Sequence, residues 1–213
     1  PSEPITIIVP VSAGGGTDAI ARIVAQAMSE RLSQPVVVKN VPGASGMIGN
    51  SELLEGRKDG HTVLWGNANL TLLPQVRKLP YVIGDDLVPV AMLFDGGNLL
   101  VVNSQLPIES VEELVAYGKA NPGKLTYGSS GVGTITHVGM AGMITMAGID
   151  ALHVPYEGSA EYGAAVAAGV ISMAFMNPEV AMSLVDSGKV RAVAASGLDR
   201  IPLLPEIPTI SES

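Results

Sequence analysis

One arrangement recurs in the chain and limits its fold more than any other feature: a β-rich run, a glycine-rich loop and a helical pattern. In the first copy, residues Ile5–Val9 lead through Gly14-Gly15-Gly16-Thr17 into a helix. The predicted apolar face of that helix comprises Ile20, Ile23, Val24, Ala27 and Met28. In the second copy, residues 125–127 lead through the loop 128–134 into a helix over 135–146. Each copy therefore predicts a helix whose N-terminus follows a strand across a tight turn.

The rest of the chain alternates between the same two patterns. Further β-rich runs lie at 36–38, 62–65, 88–94, 99–102, 152–154, 171–175 and 190–194. Further helical patterns lie at 47–54, 111–120, 160–168 and 179–186. Ser110 and Glu113 form a capping box at the start of the second of these. Such alternation predicts an α/β fold of mostly parallel sheets flanked by helices.

The doubling of this series predicts two lobes that face one another across a cleft lined by helix N-termini. We expect lobe 1 at 1–97 and lobe 2 at 98–204, with 205–213 returning to lobe 1. The segments 95–98 and 196–208 are candidate hinges between the lobes. Prolines preclude regular structure in the second hinge, at Pro202, Pro205 and Pro208.

Both glycine-rich loops are candidate anion sites. A helix N-terminus presents unpaired amides at the positive end of its dipole, and glycine lets the backbone approach a ligand closely. The alternative is that the glycines only permit a tight turn. The hydroxyls of Thr17, Ser129, Ser130 and Thr134 have the same two interpretations, as donors to a carboxylate or as helix caps.

Enzymatic interpretations of these loops meet specific obstacles. The motif Gly14-x-Gly16-x-x-Ala19 fits a relaxed dinucleotide fingerprint, but Lys39-Asn40 ends the second strand where an acid should hold the ribose. No Gly-Lys-Ser/Thr follows either loop, and Val132 stands where a nucleophile elbow needs glycine. Metal-ligand spacing is absent among His61, His137 and His153. An enzyme or nucleotide-binding domain is therefore the alternative interpretation, and we expect no cofactor and no metal.

Charge and cysteine content narrow the function further. The chain has 12 basic and 20 acidic residues, for a net charge of −8, which argues against nucleic acid as a partner. It has no cysteine, which excludes thiol chemistry and disulfides and is compatible with the periplasm. No apolar run approaches the roughly 18 residues of a membrane span. The chain opens at Pro1 without a signal sequence, so we expect that any signal peptide has been removed.

Eight segments resemble, in the same order, a known family. They lie at 5–10, 14–18, 34–44, 59–62, 120–125, 127–131, 153–156 and 202–210, and include Val41-Pro42-Gly43-Ala44 and His153-Val154-Pro155-Tyr156. Together they resemble the substrate-binding proteins of tripartite tricarboxylate transporters, the TctC or Bug family, over essentially the whole chain.

This resemblance implies a two-lobed periplasmic binding protein of type II-like fold that is not an enzyme. Such a protein captures a small carboxylate and delivers it, as a monomer, to TctA/TctB-type membrane permease subunits, although some relatives act in sensing. The resemblance also implies that loops 12–17 and 129–134 hold the carboxylate with amides, hydroxyls and bridging waters. The candidate ligand-binding residues are Ser12, Ala13, Gly14, Gly15, Gly16, Thr17, Asn67, Ser129, Ser130, Gly133, Thr134, His137, Tyr156, Gly158 and Asn177.

Some of these candidates have a reason of their own. Asn67, Asn177, Tyr156 and Gly158 follow β-rich runs, where ligands of open α/β sheets bind. His137 has two interpretations, a partly buried core histidine or a donor to the ligand. Asp18 would repel an anion, so we expect it to cap the helix or orient the loop.

The chain departs from the family pattern in two places. Relatives commonly have an acid just before the position of Asn177, where this chain has Met176. Because such an acid would pair with an ammonium group, we expect a mono- or dicarboxylate ligand without an amine. Relatives also continue beyond the segment 207–213, so we expect a further C-terminal segment to complete lobe 1.

Overall fold

The computed structural model describes residues 1–93 and 96–213, which form two compact units. Unit 1 consists of Pro1–Met92 and Gly133–Ile135, and unit 2 of Leu93–Val132 and Thr136–Ser213. The boundary lies a few residues before the predicted end of lobe 1 at Gly97. The segment 205–213, expected in lobe 1, groups with unit 2, where the Ala195 amide donates to the Pro208 carbonyl.

The candidate hinges fall near this boundary. Phe94 and Asp95 lie outside the described residues, so the first hinge is described only from Gly96 onward. Within unit 2 the two hinge segments are hydrogen-bonded to each other. The Asn98 amide donates to Ser196 Oγ at 2.9 Å, and the Ser196 amide donates to the Asn98 carbonyl at 2.8 Å.

Unit 1 contains a three-stranded parallel sheet in the order β2-β1-β3. Its elements are β1 (Ile5–Val9), α1 (Gly16–Leu32), β2 (Val36–Asn40), a 3-10 turn (Ala44–Gly46), α2 (Met47–Glu55), β3 (Thr62–Leu64) and α3 (Asn69–Val76). The strands and the first two helices agree with the predicted ones. The core of this unit consists of Ile7, Val9, Ala21, Ala25 and Trp65.

The structure of unit 1 differs from the predictions in three places. Of the predicted apolar face of α1, Ile20, Val24 and Met28 pack against the core, but Ile23 is 67% exposed. The most deeply buried apolar residues of the helix are the small Ala21 and Ala25, which let it lie close to the sheet. Ala27 is exposed as well. Helix α3 was not predicted, because Pro74 lies inside it. The run expected as a strand at 88–94 forms none over its described part, where Val90 is 88% exposed.

Unit 2 contains a five-stranded sheet in the order β6-β5-β7-β4-β8. Its elements are β4 (Leu99–Asn103), α4 (Val111–Ala120), β5 (Leu125–Ser129), α5 (Ile135–Ala147), β6 (Ala151–Pro155), α6 (Ser159–Ala167), β7 (Met173–Met176), α7 (Pro178–Asp186) and β8 (Val190–Ala195). Strand β5 pairs parallel with β6 and β7, whereas β4 runs antiparallel to both β7 and β8. The sheet is therefore mixed, where mostly parallel sheets were predicted.

Strand β4 shows why helices cover both faces of this sheet. Its residues alternate between two apolar clusters, with Leu100 and Val102 in one and Leu99 and Val101 in the other. All four side chains are fully buried. Because successive side chains of a strand point to opposite faces, a continuous apolar run requires cover on both.

Helix α4 begins at the predicted cap. The Glu113 amide donates to Ser110 Oγ at 3.2 Å, so the serine caps the helix. Glu113 also reaches back, but its carboxylate accepts from the Glu109 amide, one residue before the cap. The capping box predicted from the sequence is therefore present with its reciprocal bond shifted by one residue.

Candidate functional site

The first glycine-rich loop leads from β1 to the N-terminus of α1. Gly14 adopts a left-handed conformation with φ of +84°, and the helix begins at Gly16 after extended Gly15. Thr17 therefore lies inside the first turn, not at the cap, so the helix-cap interpretation of its hydroxyl is wrong. The amides of Gly16, Thr17 and Asp18 are the first three of the helix, which it cannot satisfy internally. They have no hydrogen-bond partner within residues 1–93 and 96–213.

Asp18 orients this loop, as predicted. One carboxylate oxygen accepts from the Gly14 amide at 2.9 Å and from Arg22 Nε at 3.0 Å. The other accepts from Asn40 Nδ2 at 2.9 Å. Burial by itself would raise the pKa of Asp18, but the hydrogen bonds from Arg22, Gly14 and Asn40 together hold it below its ordinary value. The Gly14 amide is thus used by Asp18, which leaves ligand binding to the later amides.

Asn40 has a role that the sequence did not show. It occupies the end of β2, where a dinucleotide site would carry an acid for the ribose hydroxyls. Its side-chain amide donates to Asp18 and to the Val11 carbonyl, while its oxygen accepts from Arg22. Asn40 therefore supports the first loop. It stands where a dinucleotide-binding site would need an acidic residue, so this position does not provide the carboxylate for the ribose hydroxyls.

The second glycine-rich loop follows β5 and is supported from both neighbouring elements. Ser129 is fully buried, and its Oγ lies 2.6 Å from His153 Nε2 in β6. The Gly131 amide donates to the same Oγ at 3.1 Å. Thr136 in α5 accepts from the Ser130 amide and hydrogen-bonds the Ser130 hydroxyl, both at 3.2 Å. The two serine hydroxyls therefore hold the loop in shape.

The end of this loop groups with unit 1. Residues Gly133–Ile135 belong to that unit, where the Ile135 amide donates to Asn69 Oδ1 at 2.8 Å. Gly133 has a φ of +82°, and a Cβ at this position would lie 2.8 Å from Val76 Cγ2. Both the conformation and the lack of space therefore require glycine here. Thr134 is fully buried.

Three aromatic rings form a cluster in unit 2 next to the second loop. His153 contacts both Tyr127 and His137, with ring centroids 4.9 Å and 4.1 Å away, and the centroids of Tyr127 and His137 are 6.3 Å apart. Burial lowers the pKa of His137, and burial together with His137 lowers the pKa of His153 to about 4. The His153 ring is therefore neutral at pH 7. Sequence reasoning missed His153, because its contact with Ser129 depends on how β5 and β6 pair.

Ser129 and His153 lie as close as a nucleophile and its base, but the remaining parts of such a site are missing. The Ser129 side chain is fully buried and out of reach of a substrate. Within the described residues no carboxylate hydrogen-bonds His153. Nor do those residues contain a cluster of three or more His, Cys, Asp or Glu that could hold a metal ion. The pair is a structural hydrogen bond and gives no support to hydrolysis.

The other candidates lie at ends of elements. Asn67 Oδ1 accepts from the Asn69 amide at 3.0 Å at the start of α3. Gly158 and Asn177 occupy the positions before α6 and α7. The Tyr156 ring packs 6.4 Å from that of Tyr162, centroid to centroid. Ala13 is exposed and Ser12 is partly exposed at the start of the first loop.

Asn67 also lines a small cavity in unit 1. The other residues of its wall are Pro10, Ser45, Gly46, Asn50, Trp65, Asn69 and Leu70. Asn50 is buried and donates to the Tyr81 hydroxyl at 2.7 Å. Asn50 and Asn69 were not among the predicted site residues.

Met176 does not face a ligand site in unit 2. It is fully buried and belongs to the apolar cluster that includes Tyr162 and Val166. The methionine is therefore explained by core packing, and it carries no direct information on the ligand.

Known proteins resemble this chain over its whole length. A "UPF0065 protein in tcbD-tcbE intergenic region" of Pseudomonas sp. (strain P51) is 37% identical over 217 residues, which cover 100% of this chain and 64% of the relative. The chain thus spans less than two thirds of that relative's length. A solved structure described as a periplasmic transporter is 36% identical, with a TM-score of 0.92, and is covered to 72%.

Two further solved structures contain a named ligand. Rpa4515 of R. palustris, with adipate, is 31% identical with a TM-score of 0.86 and is covered to 72%. MatC (Rpa3494) of Rhodopseudomonas palustris, with bound malate, is 27% identical with a TM-score of 0.88 and is covered to 73%. Both matches cover 100% of this chain. The α/β architecture is that of periplasmic binding proteins, such as BugD, whose solved structure is 27% identical with a TM-score of 0.84.

Among the helices of the described residues, none combines the length and apolar character needed to cross a membrane.

The family assignment rests on a match that is independent of these structures. The sequence model of the tripartite tricarboxylate transporter family receptors, TctC, matches residues 20–213. The chain belongs to this family of receptors.

Proposed function

We propose that this chain is part of a periplasmic solute-binding protein that captures a small carboxylate for a tripartite tricarboxylate-type transporter. The observation that carries the proposal is the free N-terminus of α1. Its first amides, at Gly16, Thr17 and Asp18, follow a loop that the Asp18 carboxylate holds in one conformation. Preformed amides at a helix N-terminus bind an anion without a charged side chain.

The ligands of the solved relatives support a carboxylate. Adipate and malate are both dicarboxylates without an amine, and they are bound by family relatives of the same fold. We infer the same ligand class here, di- or tricarboxylates or other carboxylic acids that lack an amine. The partners would be TctA/TctB-type membrane subunits, the location the periplasm after removal of a signal peptide, and the binding form a monomer. A sensing role would use the same site with another partner.

We assign ligand binding to both glycine-rich loops and to the strand ends. The proposed set remains Ser12, Ala13, Gly14, Gly15, Gly16, Thr17, Asn67, Ser129, Ser130, Gly133, Thr134, His137, Tyr156, Gly158 and Asn177. The contacts divide this set by role. Thr17 offers its amide and its hydroxyl in the first turn of α1, whereas the Ser129 hydroxyl and the Gly14 amide are used inside their own loops.

Thermal unfolding with a panel of carboxylates tests the proposal. Adipate or malate at about one hundred times its dissociation constant should stabilise the folded protein by about 2.7 kcal/mol and raise Tm by several degrees. Glutamate should raise it less. Thr17→Val with Ser130→Ala should reduce the shift without lowering Tm of the free protein by more than a few degrees.

Thr145→Val is the matched control, because Thr145 is an exposed helical threonine whose hydroxyl donates to the Ala141 carbonyl of its own helix. It should leave the shift intact. A panel in which no carboxylate changes Tm would overturn the proposal, and tight NAD or ATP binding in a fluorescence titration would favour the nucleotide-binding alternative.

A further inference from the structure

We propose that His153 is a positioning residue for the second carboxylate-binding loop, which it holds through the hydroxyl of Ser129. The inference rests on the proposed function, since it assumes that the loop 129–134 contacts the ligand through residues other than Ser129. His153 itself does not touch the ligand. It acts through Ser129 and, from there, through Gly131.

The pairing of two strands brings these side chains together. In the parallel ladder, His153 of β6 lies opposite Tyr127 of β5. Ser129 comes two residues after Tyr127, so both side chains point to the same face of the sheet. The His153 ring stacks on Tyr127 with centroids 4.9 Å apart, and its Nε2 reaches Ser129 Oγ at 2.6 Å.

The hydroxyl of Ser129 has no capacity left for a ligand carboxylate. A serine hydroxyl has one proton and two lone pairs. The Gly131 amide fills one lone pair. In one tautomer His153 Nε2 accepts the proton of the Ser129 hydroxyl. In the other, Nε2–H donates to the second lone pair of Ser129 Oγ, and the serine hydroxyl then donates to the Gly131 carbonyl at 3.2 Å. In both tautomers Ser129 is bonded on the inside of its loop, and its burial keeps a ligand away.

The loop conformation depends on this bond. Gly131 has a φ of +111°, and its amide is aimed at Ser129 Oγ instead of at solvent or ligand. On the other side of the turn, Thr136 holds the Ser130 amide. The turn is therefore pinned at Ser129 by β6 and at Ser130 by α5. Releasing the first contact frees the Ser129 hydroxyl to turn and with it the Gly131 amide.

Two neighbouring rings restrict the orientation of His153. The His153 ring contacts the rings of both His137 and Tyr127, with centroids 4.1 Å and 4.9 Å away, and these contacts limit the directions in which the imidazole can turn away from Ser129. An aromatic residue without a ring nitrogen would keep this packing and lose the hydrogen bond. A glutamine would lose the stacking and keep a polar atom at the distance of Nε2. The two substitutions therefore separate packing from hydrogen bonding.

Titration calorimetry with malate and with adipate tests the proposal on five proteins: the parent, His153→Phe, His153→Gln, Ser129→Ala and Ser129→Ala with His153→Phe. Loss of one buried hydrogen bond should weaken binding about tenfold in His153→Phe and in Ser129→Ala. The double variant should be no weaker than either single one, because the same contact is lost. His153→Gln should bind within about threefold of the parent.

The opposite results would overturn it. His153→Phe with the parent's affinity would show that the ring does not position the loop. His153→Gln weaker than His153→Phe would assign the effect to ring packing instead of the hydrogen bond, and additive losses in the double variant would show that Ser129 and His153 act independently.

A second readout does not need a ligand. In NMR spectra of the free protein, the Gly131 amide resonance should move in His153→Phe and Ser129→Ala and return towards its parent position in His153→Gln. Should the parent bind no carboxylate at all, the proposed function fails, and the Gly131 resonance still decides whether His153 positions the loop. An unmoved resonance in His153→Phe would reject it.

Discussion

Asn40 Nδ2 donates to Asp18 Oδ1 across 2.9 Å, which joins the end of β2 to the first turn of α1 over 22 residues of chain. The same carboxylate accepts from the Gly14 amide and from Arg22. Asp18 is buried to 4% exposure, so its charge would be costly without these donors. The negative charge of Asp18, next to the proposed anion site, is therefore balanced by these hydrogen-bond donors. Asp18 stabilises the loop and does not bind the ligand.

Removing this carboxylate should cost both stability and affinity. We expect Asp18→Ala to lower the free energy of unfolding by about 1–3 kcal/mol, since it leaves Asn40 and the Gly14 amide without their acceptor. Asp18→Asn should be intermediate, because it keeps one oxygen. Urea unfolding and calorimetry with malate measure the two effects. Asp186→Ala, an exposed acid at the end of α7, is the control and should change either quantity little. Equal stability of Asp18→Ala and the parent would refute the anchoring role.

Acid should destabilise the protein partly through His153. Burial and the neighbouring His137 lower its pKa from 6.5 to about 4 in the folded chain. Between these values the unfolded chain binds the proton more readily, so stability is complete above pH 6.5 and declines as pH falls towards 4. Because the ring is partly exposed, we expect a contribution of about 1–2 kcal/mol instead of the full shift. Urea unfolding at pH 7, 5.5 and 4.5 should show a shallower decline for His153→Gln. Parallel declines in the two proteins would contradict the assignment.

The sequence predicted the fold where local patterns decide it. The runs at β1, β2 and β5 are short and apolar, each followed by a turn or helix signal, so their positions follow from the chain alone. Both glycine-rich loops were found for the same reason. The prediction was partly wrong for α1, where Ile20, Val24 and Met28 pack against the core as predicted, but Ile23 points outward. Among the apolar residues of this helix, the small Ala21 and Ala25 are the ones buried most deeply.

The contacts that shape the site were beyond sequence patterns. Ser129 and His153 are 24 residues apart and meet only because β5 and β6 pair in one register. A shift of one residue would turn His153 to the other face. Asn40 was noticed only as a missing acid, since its bond to Asp18 depends on β1 and β2 lying side by side. Side-chain networks of this kind need the sheet before they can be recognised.

The cap of α4 offers a test in which sequence and structure agree. Ser110 Oγ accepts from the Glu113 amide at 3.2 Å. Ser110→Ala should lower the free energy of unfolding by about 1 kcal/mol, and Ser110→Asp should restore most of it, because aspartate also caps. Urea unfolding of unit 2, followed by far-ultraviolet circular dichroism, measures the change. Aspartate as destabilising as alanine would show that the serine does not act as a cap.

Two glycines of unit 2 should respond to the same substitution with opposite sign. A Cβ on Gly128, in β5, would lie 2.8 Å from Tyr162 Cβ and 2.6 Å from Ile171 Cδ1. Tyr162 is almost fully buried and cannot move aside, so Gly128→Ala should destabilise the protein by about 1–3 kcal/mol.

Gly142, inside α5, has nothing within 4 Å of its added Cβ. Gly142→Ala should therefore stabilise by about 0.5–1 kcal/mol, because alanine loses less backbone entropy in a helix. Midpoints of urea unfolding for the two variants decide the matter. A neutral Gly128→Ala would mean that β5 and α6 are less tightly packed than the distances require, and a destabilising Gly142→Ala would mean that this face of α5 is covered.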